Sequence, residues 1–303
     1  MPNPLPQWQE RFLSRHRLEP DYLHAAQIWF APLARALREH QKGARRPLLV
    51  ALNGCQGSGK STVCDYLRAL LTADYGVPVA VLSLDDFYLT RRERQALATA
   101  VHPLFYTRGV PGTHDLALLG LTLDGLLAER TAAPVAIPRF DKAADDRRPR
   151  TEWDEVAGGA ELVLLEGWCL GAQPQGPAEL AVPVNALERE EDPDGRWRRR
   201  VNAVLAQDFL PLYQRVDRWV MLRAPSFDCV YRWRLEQEQK LAASAGAAAR
   251  RVMSTVQVAR FIQFYQRLTQ QCLETMPARV DHLFTLDGER RVTACRHGAQ
   301  RMP

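Results

Sequence analysis

Residues 54–61 read Gly54-Cys55-Gln56-Gly57-Ser58-Gly59-Lys60-Ser61, the G-x-x-x-x-G-K-[ST] spacing that folds consecutive backbone N–H groups around phosphate oxygens. The glycines permit the tight turn, Lys60 reaches toward terminal phosphate oxygens, and Ser61 offers a hydroxyl to Mg²⁺. These eight residues and Thr62 are the candidate nucleotide cradle. The bare pattern also occurs by chance. Here an apolar strand over residues 47–52 leads in and a helix from residue 60 to about 75 leads out, the context in which such a loop binds anions at a helix N-terminus.

Moving a phosphoryl group to a hydroxyl also needs a held cation, an aligned acceptor and a group at the acceptor proton. The apolar run 77–84 ends in Asp85-Asp86, which sets two carboxylates at a strand's carboxyl end, where open α/β sheets bind ligands. Asp85 is the candidate catalytic residue, orienting or deprotonating the acceptor and helping to hold the metal, with Asp86 assisting substrate. A plain turn-capping role is the alternative for such a pair. Glu166 closes the strand 161–165 in the manner of a metal-touching acid, because a carboxylate after four apolar residues is costly to bury unless paired or metal-bound. The alternative is an exposed strand end.

Two loops supply candidate acceptor contacts, since loops on the rim of a rigid sheet carry such residues. Arg108, His114 and Asp115 lie in the first, Arg139 and Asp141 in the second, and Tyr88 follows the Asp pair. Arg108 or Arg139 could pair an acceptor carboxylate through two parallel hydrogen bonds. Each has an ordinary reading too: a surface histidine, a helix cap at Asp115, or a solvated charged turn. Arg232 and Arg234 open a late helix before an alanine-rich stretch, and are candidates for a lid that stabilises charge on a transferring phosphoryl group, unless they are ordinary helix-surface arginines.

The elements that must position these groups alternate between strand and helix. Helical periodicity over residues 22–37 predicts one or two helices before the core, so residues 1–46 read as a helical extension packed on a domain spanning 47–290, with 291–303 a frayed tail. Further helices are expected at 115–130, 196–213, 227–241 and from Ser254, with a loop at 167–182 and strands at 135–138, 219–222 and 280–286. Strands alternating with helices imply a mainly parallel α/β sheet in one domain.

Composition sets the bounds. The 303 residues are 46% hydrophobic and 25% charged, enough for a sizeable core, and a net charge of +5 is too small and scattered to argue for nucleic acid. Six cysteines without a C-x-x-C pair, no export signal and no apolar run long enough to span a bilayer lead to the expectation of a cytoplasmic protein with reduced thiols and no membrane partner.

Together, residues 54–61, the Ser83-to-Thr90 string Ser-Leu-Asp-Asp-Phe-Tyr-Leu-Thr, His102-Pro-Leu-Phe105, residues 107–115, Pro138-Arg-Phe-Asp-Lys142 and Leu165-Glu-Gly-Trp168 resemble plant-type D-glycerate 3-kinase and its bacterial and fungal relatives. That group falls within the phosphoribulokinase, uridine kinase and pantothenate kinase family. The resemblance spans residues 46–286 and implies a P-loop NTPase fold of nucleoside-kinase type with ATP and Mg²⁺ as cofactors and a small hydroxy acid as substrate. It also implies that Asp85 acts at the acceptor hydroxyl, that Glu166 follows the metal-binding strand and that His114-Asp115 lie near the acceptor. Arg232 and Arg234 match the family's lid arginines only loosely, because the Arg-Asp-x-x-x-Arg string is missing. Pantothenate, nucleoside or sugar-phosphate acceptors remain open, with Phe87, Tyr88, Phe105 and Tyr106 as stacking faces, as does an ATP-driven switch.

Overall fold

A computed structural model describes residues 5–128, 134–156, 159–244 and 253–298. Helices α1 (Gln7–His16) and α2 (Asp21–Lys42) precede strand β1 (Leu48–Gly54), and α3 (Lys60–Tyr75) leads to β2 (Val79–Ser83). Then come α4 (Arg91–Ala100), α5 (Leu116–Leu127), the short strands β3 (Val135–Ile137), β4 (Phe140–Asp141), β5 (Asp146–Arg147) and β6 (Asp154–Val156), and the buried strand β7 (Leu162–Gly167). Helices α6 (Pro177–Ala181), α7 (Ala186–Glu191), α8 (Arg196–Val204) and α9 (Leu210–Tyr213) lead to β8 (Arg218–Arg223), α10 (Phe227–Ser244), α11 (Thr255–Thr275), β9 (His282–Leu286) and β10 (Val292–His297).

The main sheet runs β10-β9-β8-β1-β7-β2, parallel except for β10. Alternation along the strands divides the core. Leu162 and Leu164 pack with α1, α2 and α3 on one face, whereas Val163 and Leu165 pack with α5, α8 and α11 on the other. Glu166 continues the parity of Leu162 and Leu164. It therefore faces α3 and the phosphate loop. β7 is inserted between β1 and β2, so Asp85 lies two strand spacings from the loop, about 10 Å, rather than one, and Glu166 stands between them.

The N-terminal helices cover the α3 face with Phe12, Leu23, Phe30, Leu33 and Leu37. Polar ties fix α1 to α3: Trp8 Nε1 donates to Asp74 at 3.0 Å, and His16 meets Asp65 at 2.7 Å.

Several elements differ from the expectation. Residues 292–297 form β10 instead of fraying, because a turn from Asp287 to Arg291 closes a hairpin and Val292 and Cys295 pack on the core. The single helix expected over 196–213 widens into a π turn at Leu205–Phe209, where Pro211 has no N–H to continue the regular ladder. The loop expected at 167–182 contains α6, started by Gly176 and Pro177. Helix α4 was not anticipated, although Thr90 and Glu93 form a capping box at its start. The stretch 245–252, expected to be alanine-rich and mobile, lies outside the described residues.

If α2 is part of the core, truncating a fully buried side chain there will destabilise the whole molecule. Leu37→Ala should cost about 2–5 kcal/mol in urea denaturation with an unchanged m-value, whereas a helix that merely rests on the surface would lose less than 1 kcal/mol by the same order of estimate.

Candidate active site

The phosphate loop leaves β1 with Gly57 and Gly59 at φ of 79° and 87°, in the left-handed region that favours glycine, and Ser58 N–H donates to Cys55 O at 3.2 Å. Gly57 is also fixed by space, since a Cβ there would lie 2.7 Å from the Cβ of Trp233 on α10. Ser58 Oγ is buried without a hydrogen-bond partner among the described residues, which leaves a hydroxyl able to donate to an anion.

Lys60, Ser61, Glu166, Ser83 and Asp85 line one cleft of about 1590 Å³. Small-molecule sites are typically about 300–1,000 Å³, so the cleft has room for a nucleotide and a second ligand. Ser61 and Ser83 hydroxyls each donate to Glu166 Oε1 at 2.8 Å. Lys60 Nζ lies 3.7 Å from Glu166 Oε2, which has no hydrogen-bond partner among the described residues. Burial works against the charge of Lys60, but the carboxylates of Glu166 and Asp85 outweigh it and raise its pKa. The same balance holds for Asp85: burial opposes its charge, yet Lys142 at 2.6 Å, Lys60 and the Tyr88 hydroxyl at 2.8 Å hold it far below the ordinary carboxylate range. Asp85 is thus ionised and able to accept a hydrogen bond from an acceptor hydroxyl.

The donor set at Ser61 and Glu166 suits a hard cation. An orphaned carboxylate oxygen beside a hydroxyl is the kind of oxygen pair Mg²⁺ takes from protein while the rest of its shell comes from phosphate and water. Among the described residues no group of three or more His, Cys, Asp or Glu could hold a metal unaided.

The other candidates fall into two groups. Arg139 bridges Asp86 at 2.7 Å and Asp154 at 2.6 Å, and Phe140 N–H donates to Asp86, whose pKa burial nevertheless raises. Arg108 pairs with Asp145, and Asp141 accepts from Ala143 N–H and Ala144 N–H to shape the turn of the β4–β5 hairpin. Asp115 caps α5 through Leu118 N–H and also pairs with Arg147 at 3.0 Å, so its capping and charge-pairing roles coexist. His114 is buried rather than on the surface, stacked on Tyr88 at 4.7 Å, with neither ring nitrogen hydrogen-bonded among the described residues, and burial lowers its pKa to about 4. Of the lid pair, Arg234 lines the cleft and pairs with Glu238, whereas Arg232 turns away to donate to Gly288 O in the β9–β10 turn. Helical spacing already separates the two, since residues two apart lie about 200° around a helix; which of them meets the cleft is decided by the packing of α10.

Several groups at the site escape the sequence reading. Lys142 meets Asp85 from across the hairpin. Asn53 is buried and donates to the carbonyls of Trp168 and Leu170, fixing the turn after β7, and Trp168 Nε1 then donates to Gly109 O at 3.0 Å. Ser83 had a signal in its string, one residue removed from the Asp pair. Asn53 had none, being one polar residue in an apolar strand.

Fold and site together define a P-loop kinase. No protein-family model matches the sequence. The chain is 34% identical over 262 residues to mug58, an uncharacterised kinase of Schizosaccharomyces pombe, covering 84% of this chain and 87% of that one. It is 32% identical over 240 residues to the chloroplastic D-glycerate 3-kinase of Arabidopsis thaliana, covering 77% of this chain and 49% of the plant protein, so it spans about half of that relative. The structure of D-glycerate 3-kinase from Cryptococcus neoformans matches with a TM-score of 0.72 at 25% identity, over 90% of this chain and 99% of that one. The chain belongs to the family of P-loop kinases that includes these proteins, and it is a phosphotransferase.

Gly57→Ala forces a Cβ into both a left-handed backbone and Trp233. Strain of about 1–3 kcal/mol should weaken nucleotide binding roughly tenfold or more, read by titration of ADP into the variant; unchanged affinity would show that the loop does not need this shape. His114 carries a pH signature. Its folded pKa of about 4 lies below its ordinary 6.5, so stability present above pH 6.5 is lost as pH falls toward 4. The loss should be about 3 kcal/mol, and His114→Phe should flatten that part of the stability profile.

Proposed function

We propose that the enzyme transfers the γ-phosphoryl group of ATP, with Mg²⁺, to a hydroxyl of a small hydroxy acid, D-glycerate giving 3-phosphoglycerate. The supporting observation is the shared cleft in which Asp85, ionised and half-buried, lies on the same side of the sheet as Lys60, with Glu166 between them. The names of the relatives support the choice of acceptor.

The residues divide the work. The loop N–H groups and Lys60 hold the phosphates; Ser61 and Glu166 would hold Mg²⁺, which when bound offsets phosphate charge. Asp85 takes a hydrogen bond from the acceptor hydroxyl and orients its lone pair toward phosphorus. Its strongly lowered pKa favours orientation over early proton removal, with the proton passing late, as the attacking oxygen loses its basicity. Tyr88, whose pKa burial raises well above its ordinary value, stays a neutral donor that fixes Asp85. Arg234 is placed to meet charge developing on the transferred group.

The acceptor end favours an acid over a nucleoside. Phe87 and Phe105 are fully buried and Tyr106 is not among the cleft residues, so Tyr88 alone of the four candidate stacking faces reaches the cleft, whereas Arg108, Arg139 and Lys142 all line it. ADP release measured with D-glycerate against pantothenate, nucleosides, sugar phosphates and simple alcohols should single out the hydroxy acid. Asp85→Asn should retain ATP binding and lose about two orders of magnitude in kcat; wild-type turnover by that variant removes Asp85 from its role.

A further inference from the structure

The cations at the acceptor end are already engaged by protein carboxylates: Lys142 by Asp85, Arg139 by Asp86 and Asp154, Arg147 by Asp115, and Arg108 by Asp145. An incoming carboxylate must replace one of these partners. The cost depends on what the displaced partner loses, because a half-buried carboxylate stripped of its counter-charge is strongly destabilising.

Asp145 differs from the rest. Its Oδ2 lies 2.9 Å from a guanidinium nitrogen of Arg94, a fully buried arginine that also donates to the carbonyls of Leu89, Tyr106 and Asp145 itself. If Arg108 leaves, Asp145 keeps a complete ion pair. Asp86 without Arg139 would retain the N–H of Phe140, and Asp115 without Arg147 the N–H of Leu118, neither of which carries a formal charge. Asp85 is reserved for the hydroxyl. The hairpin also aims Asp145 inward: its φ of 56° puts it in the left-handed region, which Asp tolerates better than most residues.

Arg108 is well placed for the exchange. Its guanidinium lies 5.5 Å from the Phe140 ring centroid, and that ring packs 5.3 Å from Tyr88, the residue that holds Asp85. The arginine is thus one aromatic ring away from the tyrosine that fixes the acceptor-orienting acid, a span suited to an acceptor of a few carbons. Its backbone is held by Tyr265, whose hydroxyl donates to Arg108 O at 3.2 Å, and by Trp168 on the next carbonyl.

We propose that Asp145 and the acceptor's carboxylate compete for Arg108, so that a hydroxy acid takes over that ion pair while Arg94 retains the displaced Asp145. Arg108, not Arg139, is then the residue that selects an acidic acceptor. This rests on the hydroxy-acid reading above.

The test is steady-state kinetics with D-glycerate and with glycerol as its uncharged analogue, on the wild type, Arg108→Met, Arg108→Lys and Asp145→Asn. Arg108→Met should raise the KM for D-glycerate on the order of 10²-fold with the KM for ATP unchanged, and Arg108→Lys should recover part of the loss. Asp145→Asn removes the competitor and should lower the D-glycerate KM about three- to fivefold, the opposite of what loss of a purely structural contact would do. An Asp145→Asn variant with a wild-type thermal midpoint and an unchanged or raised KM overturns the proposal. If that variant fails to fold, the Arg108 pair decides: equal preference for D-glycerate over glycerol in Arg108→Met and wild type overturns it. Wild-type enzyme that releases ADP with no hydroxy acid overturns the proposed function itself; activity on D-glycerate that is indifferent to Arg108 overturns this inference alone.

Discussion

One buried lysine charge sets the terms for the rest of the site. Lys60 is largely withdrawn from water beside the loop, and burial by itself works against its charge. Glu166 and Asp85 keep it charged, and Lys60 in turn helps keep Asp85 ionised, so the two opposite charges maintain each other. This mutual support needs β7 between β1 and β2, since that order places Glu166 where it can reach Lys60 and Ser61 while Asp85 remains in the same field.

The acceptor end follows a related logic. The β4–β5 hairpin and the strands beside it bring Arg139, Lys142 and Asp145 over a wall formed by Tyr88, Phe140 and His114, and each charge closes on an opposite one. Such pairing keeps a dense set of charges tolerable side by side. It also lets a ligand enter by exchanging partners. His114, neutral and unpartnered, serves this wall as a flat polar ring rather than as a charge.

Local rules made the chemistry more legible than the shape. Glycine spacing, an acid after an apolar strand and the Asp pair after β2 each impose a short-range requirement, and the structure gathers Lys60, Ser61, Asp85 and Glu166 as those requirements demand. What escaped depended on distant partners. The insertion of β7 between β1 and β2 is a choice of topology that strand patterns do not encode. Arg232 and Arg234 sit on opposite sides of α10, and only the packing of that helix against the β9–β10 turn decides that Arg234 is the one at the cleft. The strand β10 reads as a polar tail because just Val292 and Cys295 pack inward, too few for an alternating pattern to stand out. Asn53 and Lys142 act through contacts 115 and 57 residues away, beyond any spacing rule.

The proposed transfer requires a phosphoryl donor and an acceptor hydroxyl to meet between Lys60 and Asp85. A crystal structure of the ternary complex with a non-hydrolysable ATP analogue and D-glycerate tests that most directly. It should place the terminal phosphate against Lys60 and the acceptor hydroxyl within hydrogen-bond distance of Asp85, in line with the phosphorus. An acceptor bound with its hydroxyls turned away from Asp85, or a terminal phosphate held outside the loop, would contradict it.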